Sequence, residues 1–219
     1  MSAQDNKREI LQMIRFGFDP DHKRDEIYDA SYRGLRCDCK TRNVGLNSKG
    51  KPAPQTVTTK RRFDLDSFEK TVLIVSEYLG QEPDQITDVD WLIFPPALEP
   101  FRAEQNRKLI EDNGCHLCYN EVDVIESAIT NMTPEIEEIL KKCRNEVHRN
   151  DPQIPKGFFD SEGTKYNRKD TPHPEWLIRC GPEIKDKAKF FRDKADEYIE
   201  WLKENRFEEY LEWLKESKS

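Results

Sequence analysis

Two apolar runs constrain the fold more than anything else in this chain: "EKTVLIVSEYL" at 69–79 and "DVDWLIFPPAL" at 88–98, the second ended by Pro95-Pro96. In a strand, successive side chains point to opposite faces, so Val72, Leu73, Ile74 and Val75 together require cover on both sides. A sheet with one wet face would alternate instead. Two such strands imply a sheet sandwiched between other elements, an α/β or α+β layered domain. Only 35% of the 219 residues are hydrophobic and 36% are charged, so that core must be modest under a heavily charged surface. Four Trp and 11 Phe still supply enough bulk for a packed interior and argue against disorder.

Around these strands the pattern is helical. Residues 5–16 place Ile10, Leu11, Met13 and Ile14 at helical spacing, with Asp5 as a cap. A helix is expected from Pro100 to Gly114, and 121–130 reads as strand or helix. Another helix starts at Thr133-Pro134, a cap followed by proline at the first helical position. Residues 150–182 are rich in proline and aperiodic, and read as an extended insertion or recognition loop. Near the C-terminus Ile184, Ala188, Phe191, Ala195, Tyr198 and Leu202 form an amphipathic seam whose register slips near Asn205. The expected division is a core over 1–150 and, over 151–219, a Pro-rich loop with amphipathic helices serving as an interface or ligand contact. No run approaches the ~18 apolar residues of a membrane span, and "MSAQDNKREI" lacks the apolar centre of a signal peptide. A cytoplasmic protein without membrane contact is expected, and its six cysteines are read as reduced thiols or metal ligands.

The chemistry gathers between the helix and the first buried strand. "EIYDASY" and "LRCDCKTR" read as two strands joined at Arg33-Gly34. A two-residue turn there pairs Tyr32 with Leu35, Ala30 with Cys37 and Asp29 with Asp38. Directly opposed side chains share a face with Cβ atoms about 5 Å apart, and the period of two adds Lys40 to that face. Cys37 and Cys39 point the other way. Opposed carboxylates repel unless a cation lies between them. Oxygen ligands alone favour Mg²⁺, with water and substrate phosphate completing its shell. A neighbouring lysine suits metal-assisted hydrolysis of a phosphodiester.

Immediately downstream, residues 41–63 contain no Asp or Glu, although acids number 43 in the chain. The window holds Arg42, Lys49, Lys51, Lys60, Arg61 and Arg62, interspersed with small polar residues. This composition suits phosphate contacts, and Asn43, Asn47 and Gln55 have the groups to read base edges.

Asp29, the short hairpin, and Asp38-Cys39-Lys40 followed by "TRN" resemble the PD-(D/E)xK nucleases, especially type II restriction endonucleases. The resemblance spans roughly residues 5–100. It implies a restriction-endonuclease-like mixed central sheet flanked by helices, with a helical C-terminal segment. It further implies that Asp29 and Asp38 hold Mg²⁺, that Lys40 assists the attacking water, and that Glu9 is an additional acidic residue. No proline precedes Asp29, so Asp19, Asp21 and Asp25 are rival choices for the first ligand. The implied substrate is double-stranded DNA cut at a specific sequence. The implied assembly is a homodimer, with the 184–202 helix as candidate interface, or a cleavage subunit beside a DNA-recognition partner.

Cys37-x-Cys39 and Cys115-x₂-Cys118 offer a second reading, a four-thiolate structural zinc site. Alternate residues of a straight strand converge poorly on one metal, and burial of Cys37 and Cys39 behind the hairpin is the simpler expectation. The competing class is thus a zinc-stabilised, non-catalytic adaptor or DNA-binding module.

Overall fold

The structure is a computed structural model that describes residues 3–20, 29–47, 49–58, 71–80, 85–99, 128–149, 153–160, 171–208 and 210–211. The expected elements over 100–114 and 121–127 lie outside these residues. Helix α1 (Ala3–Arg15) precedes β1 (Ala30–Tyr32) and β2 (Leu35–Asn43). The short β3 (Val57–Thr58), β4 (Thr71–Tyr78) and β5 (Asp90–Ile93) follow. Then come α2 (Pro134–Arg149), β6 (Gln153–Ile154), α3 (Lys156–Phe159), β7 (Leu177–Cys180) and α4 (Lys187–Asn205).

Five strands make one mixed sheet in the order β1-β2-β4-β5-β7. Only β2 and β4 run parallel; the other three pairings are antiparallel. The apolar run of β4 therefore sits in the middle strand, and Val72 to Val75 are buried, as a two-faced strand demands. The protein is a mixed α/β structure with helices packed on an open sheet.

The β1–β2 turn adopts the left-handed conformation at Arg33 (φ 49°) and Gly34 (φ 88°), which matches the twist of a two-residue hairpin. The register runs Tyr32↔Leu35, Ser31↔Arg36 and Ala30↔Cys37, as the sequence predicts. It stops there. Asp29 lies in a bend with its N–H donated to the Cys37 carbonyl, so Asp29 does not oppose Asp38 in the ladder.

Three further expectations are corrected. Helix α1 buries Arg8, Gln12, Met13 and Phe16, leaving Leu11 and Ile14 exposed, so its inner face is rotated from the expected stripe and is partly polar. The 150–182 segment is not simply an extended loop. It supplies α3, a 3₁₀ turn over Pro174–Trp176, and β7, which pairs with β5 from Ile93↔Leu177 to Asp90↔Cys180. A four-residue strand bracketed by prolines gives no usable alternation, and its pairing to β5 rather than its own sequence defines it. β7 joins the same sheet as the strands before position 150, and α4 packs in the same core cluster. The α4 seam is likewise not a free interface: Phe191, Ala195, Tyr198 and Leu202 are buried, with Phe191 meeting Phe16, Phe18 and Tyr32 edge to face.

Two helix expectations hold. Thr133 Oγ1 accepts the Ile136 N–H at the start of α2, and α4 ends at Asn205 with Arg206 as its cap.

Candidate active site

The site is built where β1 ends early. Because the ladder stops at Ala30, the edge of β2 beyond Cys37 has lost its strand partner, and the Cys39 N–H would be orphaned. Asp29 replaces the missing strand with its side chain: Oδ2 accepts the Cys39 N–H at 2.6 Å. Two residues further, Lys40 Nζ donates to Asp38 Oδ1 at 2.5 Å and to the Cys39 carbonyl at 3.2 Å. The Asp38 side chain is 6% exposed and that of Lys40 24%, so the pair opens to solvent through the ammonium.

Helix α1 reaches this edge with two polar side chains one turn apart. Glu9 shares a side-chain hydrogen bond with Asp29. Burial, and then the Glu9 contact, push the Asp29 carboxyl above its ordinary range; Lys40 and the Cys39 N–H pull the other way without cancelling them. Gln12 is fully buried and bridges two strands, its Nε2 donating to the Lys40 carbonyl at 3.1 Å and the Ile74 carbonyl at 2.6 Å. Two carbonyl oxygens require the NH₂ end of the amide, so the orientation of this side chain is fixed. Gln12 Oε1 is left without a hydrogen bond among the described residues.

Asp29, Asp38, Lys40 and Glu9 are thus joined in one chain of contacts. Asp19 is exposed, while Asp21 and Asp25 lie outside the described residues. Gln12 is the member that sequence reasoning missed; a polar residue amid Leu11, Met13 and Ile14 signals it only if the helix is rotated to bury it. The bonds of the site tie Asp38 to the Lys40 ammonium, and Asp29 to the Cys39 N–H and to Glu9. Among the described residues, no group of three or more His, Cys, Asp and Glu side chains is placed to hold a metal ion. Mg²⁺ needs less: one or two carboxylates, with waters and substrate completing its shell. Asp38 and Asp29 meet that requirement, and the Cys39 carbonyl beside the ammonium adds a neutral oxygen on the same edge.

The expected DNA contacts divide. Arg42 is not available to DNA. It is buried, its Nε and Nη2 donate to Glu77 Oε1 at 3.2 and 2.7 Å, and its guanidinium lies 4.1 Å from the Phe159 ring centroid. The Cα register pairs Arg42 directly with Glu77 on β4, so an ion pair across the parallel strands takes the place of a ligand contact. Asn43 also serves the fold: Nδ2 donates to the Leu46 and Gly80 carbonyls, and Oδ1 accepts the Gly45 and Gly80 N–H groups. Lys49 and Lys51 are exposed, and Gln55 is half-buried in a left-handed conformation (φ 57°). Lys60, Arg61 and Arg62 lie outside the described residues. The outer face of α4 suits phosphate poorly, being a shallow groove in which Trp176 and Trp201 lie among Asp196, Glu197, Glu200 and Glu204.

Cys37 and Cys39 are buried free thiols on the inner side of β2. Burial is the main reason both are pushed up, with nearby aspartates adding to it, so both favour the protonated form, which is not a metal ligand. Cys115 and Cys118 lie outside the described residues. Among the described residues no helix is long and apolar enough to cross a membrane. No protein-family model matches the chain, and neither a curated protein nor a solved structure is similar to it at a significant level.

Proposed function

We propose that this protein is a Mg²⁺-dependent endonuclease of the PD-(D/E)xK type, acting on double-stranded DNA as a type II restriction enzyme or its cleavage subunit. The observation that carries this reading is the Asp38–Lys40 pair on β2, set beside an Asp29 carboxyl that is tied to the peptide between them. The same edge presents acidic oxygens for a cation and an ammonium for the substrate.

Mg²⁺ held by Asp29 and Asp38, with Glu9 reaching it through Asp29 or a water, would supply Lewis-acid stabilisation and lower the pKa of a bound water. Lys40 has two tasks in this scheme. Its ammonium orients the attacking water, and it offsets the negative charge that grows on the phosphate oxygens as the new P–O bond forms and the old one breaks. Asp38 keeps that ammonium in place, and Gln12 fixes the backbone of Lys40 from the opposite side. Exposed Lys49 and Lys51 contact flanking phosphates. Cutting both strands calls for two such sites, hence a dimer or a partner subunit.

The test is incubation of unmethylated phage DNA with Mg²⁺ and wild type, Asp38→Ala or Lys40→Ala. Discrete fragments from wild type alone support the reading. Equal cleavage by all three would remove Asp38 and Lys40 from the site, and no cleavage by any, even with a co-purified partner, would remove the function. In the zinc-adaptor alternative, stoichiometric zinc would accompany that last outcome.

A further inference from the structure

Beyond Asn43 the chain leaves the sheet in a hairpin that is held far more tightly than an exposed connection needs to be. Asn47 N donates to the Lys51 carbonyl at 2.7 Å, Gly50 N to the Asn47 carbonyl at 2.9 Å, and Ala53 N to the Gly45 carbonyl at 2.9 Å. Asn47 Oδ1 accepts the N–H groups of Lys49 and Lys51 at 2.9 and 3.1 Å. Gly50 takes the left-handed conformation (φ 68°) that this turn requires, and Leu46 bridges Pro52 across it.

The hairpin is also locked to the end of β4. Val44 N donates to the Tyr78 carbonyl, and Asn43 holds Gly80 through both ends of its amide. Gly45 approaches so closely that a Cβ there would lie 2.9 Å from Gly80 N and 3.2 Å from Leu79 Cα. This contact brings Leu46 and Leu79 onto neighbouring loops at one tip, and they are 54% and 61% exposed. Exposed leucines scattered singly would mean little. Here two lie on neighbouring loops at one tip, beside exposed Lys49 and Lys51 on a hairpin whose own stretch, 41–63, has no acid.

We infer that the 45–52 hairpin and Leu79 form a wedge for duplex DNA, in which Leu46 and Leu79 press into a base step while Lys49 and Lys51 hold the phosphates beside it. Apolar side chains that unstack a step gain access to a bent duplex, and a wedge must be stiff to do so. Lys40 and Leu46 are six residues apart, at most about 20 Å at strand spacing. That is less than the ~34 Å turn of a duplex, so a single bound segment spans both. This rests on the DNA reading above and adds to it the element that grips and distorts the substrate.

The experiment uses the full chain and a mixed-sequence 30-base-pair duplex with one 2-aminopurine. Affinity is measured by anisotropy between about 50 and 200 mM salt, and unstacking by 2-aminopurine fluorescence. A parallel Mg²⁺ digest of phage DNA is run on each variant. The combined Leu46→Ser and Leu79→Ser variant should bind about tenfold more weakly with an unchanged salt slope and lose the fluorescence rise. The combined Lys49→Ala and Lys51→Ala variant should flatten the slope by about 2. Wild-type affinity and fluorescence from the leucine variant overturn the wedge while leaving the nuclease reading intact. Failure of wild type to bind the duplex overturns it too. Hairpin-dependent binding without cleavage sinks the nuclease reading and leaves the wedge standing.

Discussion

Two aspartate–lysine clusters lie on this sheet, and they are built on opposite terms. Around Asp90 on β5, Arg15 Nη1 donates to both carboxylate oxygens at 3.1 and 3.0 Å, Lys187 Nζ donates to Oδ2 at 2.5 Å, and Ser76 donates its hydroxyl. Lys187 also reaches the Asp88 and Cys180 carbonyls, and Arg15 the Thr87 carbonyl. One carboxylate meets two cations where α1, β5 and α4 come together. Around Asp38 the terms differ: Lys40, whose side chain is 24% exposed, donates to Asp38, while Asp29 is held by the Cys39 N–H and meets Glu9. A buried charge that is fully compensated has nothing left to offer a ligand. The Asp38 edge keeps an ammonium that reaches solvent, which is why it is read as functional and the Asp90 cluster as a clamp.

The sharpest break in that comparison is in activity. Lys40→Ala is expected to reduce the cleavage rate by about 10² to 10⁴, the usual scale for removing a positioned proton-transfer or charge-stabilising group. Its melting midpoint should fall less than that of Asp90→Ala, because removing the part-exposed Lys40 side chain lets water reach the Asp38 carboxylate. Rates under single-turnover conditions and a thermal melt together check this. A variant that melts early and cuts normally would show that Lys40 holds the fold instead.

Asp90→Ala should do the reverse. Removing the carboxylate leaves Lys187 buried and Arg15 half-buried without their partner, a loss of about 3–5 kcal/mol in stability. Denaturant unfolding measures it, and any protein that stays folded should cleave at the wild-type rate. A loss below about 1 kcal/mol would mean that the carbonyls and solvent already satisfy both cations.

Gln12 belongs to neither cluster by charge, yet it separates them functionally. Gln12→Leu keeps the volume and strands two buried carbonyls, costing about 1–3 kcal/mol. If Gln12 acts by fixing Lys40, kcat should also drop, by about tenfold or more, with KM unchanged. A stability loss without a change in kcat reduces it to a strut.

The two regions also differ in how far the sequence exposes them. The β1–β2 register and the central place of β4 follow from local rules: a two-residue Arg-Gly turn and a period of two leave one arrangement. Asp38, Lys40 and the inward cysteines come with it. The Asp90 clamp draws Arg15, Ser76 and Lys187 from three distant segments, and no local pattern marks them as neighbours. Helix α1 misleads for a related reason. Two of its apolar residues, Leu11 and Ile14, face outward while Glu9 and Gln12 turn to the sheet edge, so a tertiary requirement overrides part of the amphipathic pattern. Arg42 shows the same limit, since a basic residue in an acid-free window is claimed by Glu77 across the strand. In the fold, β7 was invisible because four residues between prolines form a strand only when β5 is there to pair with.

The smallest expected effect follows from Asp29, whose carboxyl is raised in the folded protein. A raised carboxyl binds its proton more tightly folded than unfolded. Stability is therefore fullest at acid pH and is lost as pH climbs from the ordinary aspartate range through the folded value. Asp29→Asn removes that penalty, so the variant should melt slightly higher than wild type near neutrality and match it in acid. Mg²⁺ acts on the same group from the other side, because a cation bound by the ionised carboxyl relieves the penalty without a proton. Millimolar Mg²⁺ should raise the wild-type midpoint more at pH 8 than at pH 5 and leave the asparagine variant nearly unmoved. An equal shift in both proteins at both pH values would place the cation elsewhere.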